Sequence, residues 1–375
     1  MTEISPNRIT YERLGILVSD FPAYKTQGST FQNLIRVQDV NYAFSHPALD
    51  IKSIGSDNLV ARDGESPIVR QADVNCDMSY LFSSGENEEA IGLHLGPSYT
   101  IMKNFFDEQD HDDVNLMIVV ASDACHADLN HIEDQQKFEG YNVIGVGNCF
   151  LNNYAYQASV GQLPSVSISY DASNMKFDTY EDSNPPTLPS IKLGVDNQFS
   201  SEVITINKNT FDPGEVPGAN VVMPGDILVE ITKKAGNYGG VPLEKVNAAI
   251  QNISIEVPIE RQTIYGFGSN YVFDRKLKLP IIGSSSIDMI VREFDEGQID
   301  SFFTQGSMYD MVIKHNSRNF EDGEVRLAST VNTFKIEDAQ LKQQNYRAGI
   351  QGELSVSTSF SFGISSTKGL KLYRQ

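Results

Sequence analysis

Ser165-Val166-Ser167-Ile168-Ser169-Tyr170 decides how this chain folds. Apolar residues alternate with serines at period two, so one face of the segment belongs to a core and the other to solvent. Such a stretch reads as a half-buried antiparallel strand. It occurs again as Ser355-Val356-Ser357-Thr358-Ser359-Phe360, inside a longer match of residues 146–170 to 336–360 that carries Leu151, Tyr156 and Ala158 onto Leu341, Tyr346 and Ala348. A second block repeats as well. Residues 37–82 overlay 250–295 without a gap, taking Gln38, Ile51, Gly55, Ser56, Arg62, Pro67 and Ile68 onto Gln251, Ile264, Gly268, Ser269, Arg275, Pro280 and Ile281. The blocks keep their order, so one unit of roughly 110 to 140 residues occurs twice.

Other segments extend the β reading. Val37 to Phe44, Ile250 to Val257, Ile68 to Met78, Ile281 to Val291 and Ile227 to Ile231 alternate, while Leu116 to Ala121 and Met311 to Ile313 read as fully buried strands. Helical signals are few: Ile101, Met102, Phe105 and Phe106 make one stripe and Ile299, Phe302 and Phe303 another, each after the last strand of the first block. Both are expected to close an open end of a sandwich or barrel. Residues 178–249 show no repeat and carry turn chemistry in Asn184 to Pro189, Asp212 to Gly218 and Met223 to Asp226. The expected organisation is a first β domain over 1–177, a connector with strands over 178–249, and a second β domain over 250–375.

Within each copy, about a dozen residues separate two strands, from Gly55 to Pro67 and from Gly268 to Pro280. That is too long for a tight hairpin and predicts a projecting arm or loop. An arm that meets a neighbouring subunit makes Gly55, Ser56, Arg62, Pro67, Gly268, Ser269, Arg275, Lys276, Lys278 and Pro280 the candidate assembly residues.

Composition narrows function. The chain has 375 residues and a net charge of -20, from 29 basic and 49 acidic residues, and no run of Lys or Arg to grip a nucleic-acid backbone. Between Glu86 and Glu139, 13 acidic residues face only Lys103 and Lys137, so the first copy holds most of the excess. Three cysteines without a close pair imply no disulfide framework, and no apolar run approaches the length needed to span a bilayer. The expectation is a soluble product of a reducing cytoplasm.

Candidate chemistry is thin. Cys125-His126, with Asp123, Asp128, His131 and Cys149, lacks zinc-ligand spacing, and the matching stretch after Ile313 keeps no cysteine. Asp107 to Asp113 is acidic but lacks the glycine turn of a calcium loop. No triad or nucleotide motif stands out, so no enzyme, metal or cofactor is expected.

The stretch Ile250 to Arg292, with its Ile264-Tyr-Gly-Phe-Gly-Ser269 turn and Arg275-Lys-Leu-Lys-Leu-Pro280 arm, together with Gly349 to Phe360, resembles tail tube proteins of long-tailed bacteriophages. The resemblance implies a β-sandwich or barrel with a flanking helix, six copies of which form each ring of a hollow tail tube for genome passage. With two units per chain, a ring becomes a homotrimer with pseudo-sixfold symmetry. Its implied partners are further copies of itself, other tail proteins and passing DNA without specific binding, with no membrane. The implied location is the virion tail, after assembly in the host cytoplasm. Carboxylates from both units are expected to line the bore. A single-ring tail terminator or distal tail protein, and a carbohydrate-binding β-sandwich, are the alternative readings. The absence of Trp counts against the second.

Overall fold

A computed structural model describes residues 14–19, 30–45, 73–83, 85–107, 112–120, 142–179, 186–190, 205–206, 222–234, 248–267, 272–291, 306–321, 324–347 and 354–374. The protein is mainly β, as the period-two patterning predicts. In chain order the first half contributes β1 (Leu14–Ser19), β2 (Thr30–Arg36), β3 (Asp39–Ser45), β4 (Asp73–Leu81), α1 (Glu86–Ala90), α2 (Lys103–Phe106), β5 (Val114–Val120), β6 (Asn142–Ser159), β7 (Ser165–Ala172) and β8 (Asn174–Thr179). A two-residue β9 (Thr205–Ile206) and β10 (Ile227–Lys234) follow. The second half adds β11 (Ala248–Pro258), β12 (Arg261–Tyr265), β13 (Val272–Leu277), β14 (Ile281–Val291), β15 (Met308–Glu321), β16 (Glu324–Arg347), β17 (Leu354–Ile364) and β18 (Leu370–Arg374).

Each half is built around one long strand that serves two sheets. The first part of β6 lies between β5 and β8, and its second part continues beside β7 into the order β3-β4-β7-β6. In the second half, β16 pairs with β15 and β18 and then enters the order β11-β14-β17-β16. Alternation explains which face is inside: Val166, Ile168 and Tyr170 of β7 are buried while Ser167 is exposed, and β17 buries Val356, Phe360 and Phe362 in the same way. β5 is buried along its whole length, as its unbroken apolar run predicts. Met311 to Ile313 departs from that expectation: β15 alternates there, with Val312 half-exposed.

The ladders repeat with their irregularities. The bulge between Leu151 and Asn153 against β7 recurs between Leu341 and Gln343 against β17. A second bulge, between Val114 and Leu116 on β5, recurs between Tyr309 and Met311 on β15. Opposite it stand Asn148 (φ 52°) and Asp338 (φ 59°), the two non-glycine residues with positive φ among those described. Each backbone N–H donates to a side-chain oxygen at 3.0 Å, Asn148 to Asn115 and Asp338 to Asp310. Asn and Asp enter the left-handed region at low cost, and the extra residue lets the long strand bend from one sheet to the other.

Register revises two sequence equivalences. Val40 faces Met78 and Ile168 follows beyond it, whereas Ile253 faces Ile287 and Thr358 follows, so Met78 corresponds to Ile287 and not, as the ungapped overlay has it, to Val291. β10 also has a counterpart. Leu14 to Val18 pair with Val120 to Leu116 as Ile227 to Ile231 pair with His315 to Met311, so the second unit begins at β10, inside the segment read as an unrepeated connector. The buried apolar residues of both halves form one contiguous cluster. The stripe at Ile101 to Phe106 forms a single helical turn, α2, with Ile101, Met102 and Phe105 buried; the stripe at Ile299 to Phe303 lies outside the described residues.

Candidate assembly interface

The two halves are joined edge to edge. Asn252 to Pro258 of β11 pair with Ser159 to Asn153 of β6, which makes β3-β4-β7-β6-β11-β14-β17-β16 one continuous antiparallel sheet. Its core face is closed at the joint: Ile253, Ile255 and Val257 are buried opposite Ala158, Tyr156 and Tyr154. Behind them the Tyr156 hydroxyl lies 2.7 Å from His315 Nε2, with Phe82 and Phe334 packed around both rings. Burial pushes the His315 imidazole down to about 3, so it is neutral at physiological pH.

The segment after β4 also crosses the joint. Leu95 bridges Leu372 in parallel, Gly96 N–H donates to the Leu372 carbonyl at 2.8 Å, and Ile101 N–H donates to Leu370 at 3.0 Å. α1 buries Glu88 beneath this crossing, where its carboxyl accepts from Tyr80 at 3.0 Å and Tyr154 at 3.5 Å. Burial pushes the Glu88 carboxyl up to about 7 despite those donors.

From the other side, β12 and β13 form an antiparallel hairpin that straps the second half to the first. At its base Arg261 makes a two-pronged ion pair with Asp112, at 2.8 and 2.6 Å, over the rings of Phe150 and Phe105. Two residues further along the hairpin, opposite Thr263, Arg275 donates to the Ala172 carbonyl at 3.1 Å and lies 3.5 Å from Asp171. Phe150 and Leu151 start the inner part of β6 and Ala172 ends β7, so the hairpin runs across strand ends, from β6 to β7, towards β4 and β3. Tyr265 and the fully exposed Phe267 lead into its tip.

Of the sequence candidates, Arg275 is buried in this contact within its own chain, Lys276 is exposed, Lys278 pairs with Glu260 at 2.6 Å, and Pro280 is exposed just before β14. The expected arm of the second unit therefore lies, at its base, on the first half of the same chain. Gly55, Ser56, Arg62, Pro67, Gly268 and Ser269 lie outside the described residues, as do Cys125, His126, Asp123, Asp128 and His131. Cys76 and Cys149 are buried free thiols on separate strands, and burial pushes Cys76 up to about 12, which keeps it protonated.

The outer edges of the sheet carry the counterparts of the joined strands. β3 has β4 on one side and no described strand on the other. The last residues of β16 have β17 on one side, and the β15 ladder stops at Gln340. Positions buried at the joint are open here: Phe44, counterpart of the buried Val257, is 54% exposed, and Tyr346, counterpart of the buried Tyr156, is 46% exposed. Phe177 of β8, counterpart of the buried Leu372, is 60% exposed.

The face of the sheet turned away from the core is mostly hydrophilic, with Ile282 its exposed large apolar residue among those described. A hydrogen-bonded row crosses it from Ser159 to Asn252 (2.8 Å), Asn252 to Asp288 (3.1 Å) and Ser357 to Asp288, and Ser254 meets Ser286 at 2.7 Å. Asp39, Asp77, Asp171, Glu256 and Asp288 share this face with serines and amides, and Arg347 and Lys342, both on β16, are basic residues on it.

No protein-family model and no curated protein matches the chain. Among solved structures, a chain of the six-fold symmetrised cryo-EM structure of the anti-feeding prophage baseplate is similar at 13% identity and a TM-score of 0.25, over 39% of this chain and 91% of that one. A likeness at that score carries no functional inference.

Proposed function

We propose that the protein is a structural subunit of a phage-type tail, in which three chains close into a ring of six homologous units and rings stack into a hollow tube. The observation that carries this reading is the joint itself. Two copies of one unit already sit side by side in a single sheet, and the strands that make that joint recur at its two outer edges. An interface that uses different patches on its two sides is heterologous and generates rings when the rotation closes. The count of six comes from the tail tube resemblance, and three chains of two units meet it.

The hydrophilic face is assigned to the bore. Its carboxylates repel phosphate, and its serines and amides are small and already hydrogen-bonded to one another, so a passing duplex finds little to adhere to. Other tail proteins are the partners at the ends of the stack.

Negative-stain microscopy of the purified full chain tests the reading. Hollow rings or tubes with six lobes around the axis are expected; a monodisperse monomer at micromolar concentration contradicts it. Rings that never stack assign the protein to a single-layer position such as a terminator or distal component.

A further inference from the structure

Building on the ring proposed above, we infer the register of the seam between chains: β3 of one copy pairs antiparallel with the end of β16 of the next, Asn41 facing Arg347, Tyr42 facing Tyr346, Ala43 facing Asn345, Phe44 facing Gln344 and Ser45 facing Gln343. Each pair is the counterpart of one seen inside the chain. β3 corresponds to β11, because Val40 against Met78 occupies the position of Ile253 against Ile287. The end of β16 corresponds to the end of β6, because the same bulge precedes both. The joint sets Ser254 against Gln157, Ile255 against Tyr156, Glu256 against Ala155, Val257 against Tyr154 and Pro258 against Asn153. Transferring it residue for residue gives the seam.

Three features agree with it. The first is parity. Tyr42 and Phe44 lie on the core side of β3, opposite Cys76 and Val74, and Tyr346 lies on the core side of β16, opposite Val356. The register brings core side to core side, whereas a slip of one residue turns every side chain to the wrong face. The second is apolar surface. Phe44 and Tyr346 are about half exposed on the two edges that meet, and the seam covers both. The third is charge: on the hydrophilic face, Arg347 sits at the β16 edge, and Asp39 and Asp77 sit at the β3 edge, with Asp77 directly behind Asn41. Arg347 thereby reaches a carboxylate pair across the seam, at short range and beside a developing interface.

The seam differs from the joint in one respect. By the β3-to-β11 correspondence Arg261 becomes Ala48, and by the β5-to-β15 correspondence Asp112 becomes Ser307, so the two-pronged clamp of the joint has no counterpart pair between chains.

Disulfide trapping in the full chain tests the register. In a Cys125→Ser background, Ala43→Cys with Asn345→Cys is compared with Ala43→Cys with Gln343→Cys, after microscopy has scored each variant for ring formation. Both cysteines stand on opposite edges of one molecule, so any bond is between chains. Oxidation of the 43/345 pair is expected to yield dimers and closed trimers at least tenfold faster than the 43/343 pair. Rings that cross-link faster through 43/343, or through neither pair, overturn the register and leave the ring reading standing. A protein that stays monomeric by light scattering overturns both. Hydrogen exchange on the unaltered protein checks the same point without substitution: peptides covering 39–45 and 343–347 gain protection on assembly, and unchanged exchange there in intact rings refutes the seam.

Discussion

Asn148 and Asp338 show how a duplicated sequence keeps a structural device while changing the residues that make it. Both take positive φ at the point where the long strand changes sheets, and both offer their N–H to a side chain from the neighbouring strand, Asn115 in one half and Asp310 in the other. Removing that acceptor leaves a buried or half-buried N–H without its partner. Asp310→Ala is expected to cost about 1 to 2 kcal/mol, while Asp310→Asn, which installs the residue used in the first half, costs less than half of that by urea unfolding. Equal losses in the two variants reject the capping role. Glu88 makes a second test at this scale. Its folded carboxyl titrates near 7, above its ordinary 4.5, so the folded state favours the protonated form. That contribution is complete below pH 4.5 and is lost as pH rises through 7, a change of roughly 3 kcal/mol at about 1.4 kcal/mol per pKa unit. Glu88→Gln should therefore flatten the fall in stability between pH 4.5 and 8 and leave the variant more stable than the wild type at pH 8. A variant with the same pH slope as the wild type places the titration elsewhere. Neither device was legible in the sequence. A lone Asn or Asp in a strand looks like any polar residue, and Glu88 stands among acidic neighbours that are exposed.

At the scale of elements, the hairpin β12–β13 holds the two halves in register from outside the sheet. Arg261 is almost wholly buried against Asp112, and losing one partner of such a pair strands the other charge. Asp112→Ala is expected to destabilise the fold by about 3 kcal/mol and to raise protease cleavage within 259–280; unchanged cleavage shows that the strap is held by other contacts. The tip is a different matter. Phe267 touches solvent on all sides, so Phe267→Ser leaves the melting temperature of the single chain unchanged and weakens assembly, read as a higher concentration for ring formation. Assembly at the wild-type concentration removes the tip from the interface. The sequence revealed the strands of this region but misplaced two correspondences. Met78 and Ile287 sit four residues out of step in the ungapped overlay, and a slip by an even number leaves the in-and-out pattern unchanged, so alternation alone cannot detect it. β10 and β1 share only apolar residues at alternate positions, with no identity between Leu14, Ile16, Val18 and Ile227, Val229, Ile231. The 146–170 and 336–360 match, by contrast, holds in register down to the bulge, because identical strand residues there face the same neighbours.

For the whole molecule, duplication places one copy of the contact inside the chain. The joint β6·β11 consumes one copy of each edge within the chain, and the remaining copies, at β3 and β16, are where the next chain is expected. An exposed edge strand is a liability unless something covers it, and among the described residues no strand covers β3 or the end of β16, where Phe44 and Tyr346 are about half exposed. The acidity fits the same picture: ring closure gathers like charge, so assembly should tighten as salt rises from about 0.05 to 0.5 M, a range over which the screening length shortens from well over 10 Å to a few ångströms. The central claim is that three chains repeat, between molecules, the joint each one already contains. Cryo-electron microscopy of the assembled protein tests it most directly. A closed ring of three chains is expected, in which six homologous four-stranded segments form one unbroken wall, with Tyr42 of each chain facing Tyr346 of the next. A ring whose chains meet through other surfaces, with β3 and the end of β16 still open, contradicts it.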